Sequence, residues 1–120
     1  MVVGVCRFSL ALPGNRSLKG KRRVLRSLLD RTRARFPVAI AEVADNDLWQ
    51  RAVLGLAVVS NDRGHAHAMI EKVLSAVDDM GLAVPLGREV EILSFGEGIG
   101  SQAGAPDGDD PWDDDEEEPT

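Results

Sequence analysis

Residues 36–60, FPVAIAEVADNDLWQRAVLGLAVVS, decide the architecture of this chain. Phe36-Pro37 closes whatever helix precedes it, because a residue before proline is pushed out of the α region. Residues 38–43 then read as a strand, Ala44-Asp45-Asn46-Asp47 as polar turn material, and residues 48–59 as a long strand rich in Val and Leu. Two strands thus follow one another directly in the middle of the chain. On the N-terminal side, residues 2–12 alternate, with Gly4, Cys6, Phe8, Leu10 and Leu12 on one face and Val3, Val5, Arg7, Ser9 and Ala11 on the other. Pro13-Gly14-Asn15 breaks that strand. Ser17 is placed to cap a helix over residues 18–36, whose apolar stripe is Leu25, Leu28, Leu29, Thr32 and Phe36. On the C-terminal side, Asn61 or Asp62 caps a second helix, in which Ala66, Met69, Ile70, Val73, Val77 and Met80 recur at three- and four-residue steps. Gly81 stops it. Residues 84–87 read as a connector and 89–95 as a fourth strand. The order β-α-β-β-α-β predicts an α+β, ferredoxin-like sandwich, with both helices on one face of a four-stranded antiparallel sheet.

The chain has 120 residues, enough for a single two-layer core. Its formal net charge of −6 hides a division. Nine of the 20 acidic residues follow Ser101, where there is no Lys or Arg; the 11 that remain face all 14 basic residues, a net of +3. Gly, Pro and like charges dominate after Phe95, a composition that buries too little apolar surface to offset ordering. The expected organisation is a ferredoxin-like domain over residues 1–98 and a disordered acidic tail over 99–120. The single Cys6 lies in an apolar run and predicts a buried thiol in a reducing compartment. The first residues show neither a basic segment nor a cleavage site. No apolar run approaches the roughly 20 residues of a membrane span, so a cytoplasmic location is expected.

The run SLKGKRRVLRSLLDRTRARFPVAIAEV, followed by DLWQRAVLGLAVVSND and the helix containing His65, resembles the YlxP-like family of small bacterial proteins. The resemblance covers residues 2–95, and its most specific pieces are SLK-x-KR and LWQRA…VSND. It implies a ferredoxin-like fold and a gene neighbourhood often near translation initiation and ribosome-maturation factors. It implies no known activity. Gly20 stands where family members usually carry an acidic or polar residue, and the acidic tail is not a general family feature.

The segment Lys19, Lys21, Arg22, Arg23 places cations in the first turns of a helix, against the helix dipole. A capping box would put Glu or Gln at position 20, where Gly stands. Arg22, Arg26 and Arg33 fall along one edge of this helix; Arg23, Arg31 and Arg35 spread over the rest of its polar surface. One use for such a stripe is to track a nucleic-acid backbone, with backbone N–H groups and clustered cations holding phosphates. Another is a solvated face with Arg stems lying along apolar surface. The expected nucleic-acid contacts are Lys19, Lys21, Arg22, Arg23, Arg26 and Arg33, and the expected partner is RNA or a ribosomal particle. The tail then solubilises, competes with RNA for the helix, or meets a basic partner.

The sheet face away from the helices is expected to present Val3, Val5 and Arg7 with Trp49, Arg51 and Val53, or their register neighbours, a patch suited to a homodimer interface. An RNA platform on that face would need aromatics for stacking, and the chain has three Phe and no Tyr. A homodimeric regulatory module, recognising protein or a small metabolite, is the alternative. His65 and His67 lie two apart on a helix and point away from each other, so no metal site is expected. Asp45 and Asp47 lack the other positions of a calcium loop and suit a turn. Gly96-x-Gly98-x-Gly100 opens no helix and is not a dinucleotide fingerprint. Neither a cofactor nor a catalytic residue is expected.

Overall fold

The computed structural model describes residues 1–96; the tail expected over 99–120 lies outside them. In chain order the elements are β1 (Val2–Ala11), α1 (Leu18–Arg35), β2 (Ala39–Ala44), β3 (Arg51–Ser60), α2 (Arg63–Met80) and β4 (Val84–Ser94). The strands form one sheet in the order β2-β3-β1-β4, with every neighbouring pair antiparallel. This is the α+β, ferredoxin-like arrangement expected from the element order.

The alternation of β1 sends Cys6, Phe8 and Leu10 into the core, where they meet Ile40, Leu54 and Leu56 from neighbouring strands. Leu25 and Leu28 from α1, and Ala66, Ile70, Val73 and Val77 from α2, close that core from one side. Gly4 lets α2 come close to the sheet: a Cβ there would lie 2.9 Å from Ile70 Cδ1 and 3.4 Å from Ala66 Cβ. Both helices are capped by side chains. Ser17 Oγ accepts from Gly20 N at 2.9 Å, and Asp62 Oδ1 accepts from Gly64 N at 3.0 Å. Gly81, at φ 66°, ends α2 in the left-handed conformation that a side chain would strain.

Two boundaries differ from expectation. β3 begins at Arg51, not at residue 48, because residues 45–50 form a turn anchored to other parts of the molecule. Leu48 N donates to Asp45 O, and Leu12 N donates to Gln50 O. The expected connector 84–87 is instead the start of β4, since Ala11, Leu10 and Ser9 of β1 pair with Val84, Pro85 and Gly87. Leu86 is left as the extra residue of a bulge. Pro85 is tolerated because β4 is an edge strand, where a missing N–H costs no ladder bond.

Candidate functional site

Helix α1 carries eight Lys or Arg residues in 18 positions, with Asp30 its one acid. Its apolar stripe explains where those charges go. Leu25, Leu28 and Thr32 are buried against the sheet, so most cations are turned to solvent. Lys19, Arg22, Arg23, Arg26, Arg31 and Arg35 are exposed, as is Arg16 just before the cap. Among the described residues, none of these seven has a carboxylate within ion-pair reach. Such unpaired cations keep their full field for an external anion.

Arg22, Arg26 and Arg33 come together as the helical spacing predicts. They line one groove between α1 and β2, with Leu25, Leu29, Asp30 and Glu42. Arg33 also donates from Nη2 to Ile40 O at 2.6 Å, which fixes its stem against β2. Lys19 and Arg23 are exposed near the first turn, outside that groove.

Lys21 corrects the expected contact set. It is 1% exposed, and its ammonium sits 2.7 Å from Asp45 O, 2.8 Å from Leu48 O, 3.4 Å from Asn46 O and 2.8 Å from Glu42 Oε2. Glu42 Oε2 is itself buried and meets Lys21 as an ion pair, not as an aligned hydrogen bond. No phosphate reaches this group. The signal was in the spacing: Lys21 precedes Leu25 by four residues, Leu28 by seven and Thr32 by eleven, on the stripe that becomes buried.

The residues expected to form a sheet-face interface do not gather in one place. Val3 pairs with Val59 and Leu93, and Val5 with Ala57 and Glu91, at one end of the open face. Arg51 pairs with Ala11 at the far end, about 26 Å along β1 from Val3. There it forms an ion pair with Asp45 at 3.2 Å. Trp49 is not on the sheet; it lies in the β2–β3 turn and is 52% exposed. The open face itself is largely apolar, with Val43 54% and Val59 68% exposed. Arg7 and Glu89 form an ion pair at 3.6 Å across it.

Sequence reading missed the way Trp49 is held beside α1. Asn15 Nδ2 donates to Trp49 O at 2.5 Å, and Gln50 Nε2 returns a bond to Asn15 O at 3.0 Å. Asn15 Oδ1 in turn occupies the space beside Gly20 that a Cβ would need. The turn, the loop before α1 and the first turn of α1 are therefore one packed unit.

The remaining candidates have local uses. His65 Nδ1 is 3.3 Å from Ser60 Oγ, while His67 Nε2 is 3.7 Å from Glu71 Oε2. Among the described residues no three His, Cys, Asp or Glu side chains converge. Burial pushes the Cys6 thiol up, an effect that Arg88 opposes and Glu71 adds to. No helix among these residues is long and apolar enough to cross a membrane.

Comparison with known proteins gives the chain its relatives. The chain is 40% identical over 62 residues to the uncharacterized protein YlxP of Bacillus subtilis (strain 168), an alignment covering 52% of this chain and 67% of that protein. Residues 3–87, which include α1, the anchored turn and most of the sheet, match the family described as protein of unknown function DUF503. The chain belongs to that family.

Proposed function

We propose that this protein is a non-enzymatic RNA- or ribonucleoprotein-binding module that acts near translation or ribosome maturation and contacts phosphates through α1. The observation that carries the reading is the set of exposed cations on α1, left without acidic partners among the described residues. A helix stabilised only for its fold gains nothing from so many like charges at short spacing, since like pairs one turn apart repel. A polyanion reverses the sign of that cost and releases counterions on binding. The link to translation rests on the gene neighbourhood implied by the family resemblance.

The test is fluorescence anisotropy with a labelled RNA over a range of salt concentrations. Changing Arg22, Arg26 and Arg33 together to Gln should weaken binding whatever the RNA sequence. It should also reduce the slope of log K against log salt by about 2, at roughly 0.7 per single-strand phosphate contact. Thermal unfolding of the variant controls for the lost Arg33–Ile40 bond. Affinity and slope both unchanged in a folded variant would reject the groove as the phosphate site.

The open face supports a second reading, a homodimeric interaction or regulatory module. It exposes Val43 and Val59 with both signs of charge nearby, Arg7 and Glu89, which suits a self-complementary two-fold contact.

A further inference from the structure

We propose that Trp49 is a base-stacking residue and that the RNA bound beside the first turn of α1 is single-stranded. This deepens the RNA-binding reading of α1 and rests on it. Trp49 and Leu48 are 52% and 48% exposed, side by side in a turn that the fold holds rigidly. Lys21 fixes the turn through the carbonyls of Asp45 and Leu48, Asn15 fixes it through Trp49 O, and Leu12 N fixes it through Gln50 O. The backbone anchors are all made by main chain or by other side chains, so the indole itself is not needed to close them.

A half-exposed indole on an anchored backbone is a preorganised flat surface, and that backbone is tied to the loop that carries Arg16 and leads into the first turn of α1. Arg16 and Lys19 are exposed on the adjoining loop and first turn, and Asn15 links that loop directly to Trp49 O. The turn's own acids add little opposing charge, because Asp45 is paired with Arg51 and only Asp47 is exposed and unpaired among the described residues. Aromatic faces beside a cationic track are what single-stranded nucleic acid uses: phosphates meet the cations while a base stacks on the ring. In duplex RNA the bases are already stacked and cannot reach such a surface. An apolar protein partner would use Leu48 and Trp49 but would leave the cations without a counterpart.

The experiment uses the full chain carrying Trp112→Phe, so that Trp49 is the only indole. Three probes of about 12 nucleotides are compared: a single-stranded RNA, the corresponding duplex, and an abasic ribose-phosphate strand. Single-stranded RNA should quench Trp49 fluorescence; the abasic strand should bind more weakly and leave it unquenched. Trp49→Ala should lose about tenfold in affinity for the base-bearing strand with the salt slope unchanged, and Trp49→Phe should retain most of the affinity. Arg16→Gln with Lys19→Gln should instead lower the salt slope. RNA binding that depends on the α1 arginines but neither quenches Trp49 nor responds to Trp49→Ala would overturn this inference and leave the α1 reading standing. Equal affinity for duplex would overturn the single-strand assignment. Absence of binding to all three probes would overturn both readings, and a Trp49 shift that follows protein concentration without RNA would assign the indole to a protein contact.

Discussion

Lys21 shows how one residue can be read correctly in charge and wrongly in role. Its ammonium neutralises Glu42 and draws in the carbonyls of Asp45 and Leu48, so the β2–β3 turn depends on a charge inside the protein. Replacing it by Met keeps the stem but strands a carboxylate and several carbonyls without their cation. Breaking a buried pair from one side costs about 3–5 kcal/mol. Lys21→Met should therefore lower the urea midpoint strongly and speed hydrogen exchange at residues 45–50. A loss below about 1 kcal/mol would mean that water replaces the ammonium easily. The legible part was the phase of Lys21 on the apolar stripe. Its partners were not legible, because they come from a turn more than 20 residues away.

Helix α1 as an element is shaped by a conflict at its start. Glycine within a helix costs about 1 kcal/mol relative to alanine, yet Gly20 stands in the first turn because Asn15 Oδ1 fills the space a Cβ would need. Gly20→Ala should destabilise the protein despite the better helix former, by an amount on the order of 1 kcal/mol. In an Asn15→Ala background the same change should stabilise. Unfolding midpoints of the four variants form a double-mutant cycle; additive effects would show that Asn15 is not what excludes a side chain. At this scale the caps Ser17 and Asp62 and the stop at Gly81 were readable, since each acts within a few residues of itself. The starts of β3 and β4 were not. Lys21 and Asn15 hold residues 45–50 out of the sheet, while β1 draws Val84–Gly87 into it.

Across the whole molecule, the unpaired cations of α1 and the exposed valines of the sheet lie on different sides. The helices cover one face of the sheet and α1 carries the cations; the opposite face exposes Val43 and Val59. If that open face joins two copies, Val59→Lys should shift sedimentation from dimer to monomer at micromolar concentration while the α1-dependent salt slope of RNA binding stays unchanged. A monomer in the parent chain, or a dimer indifferent to Val59, would reject this face as the contact. The two readings thus use separate surfaces and are separable by experiment.

The sequence by itself determined the order of elements, the inward face of β1, the caps, the family and the gathering of Arg22, Arg26 and Arg33 along one helix edge. All of these follow from periodicity and neighbours a few residues apart. Tertiary structure alone decided that Lys21 is a buried post, that Trp49 leaves the sheet face to stand beside α1, and that β4 runs from Val84. Each of those outcomes is set by hydrogen-bond partners distant in sequence, and a buried polar group goes wherever such partners can satisfy it.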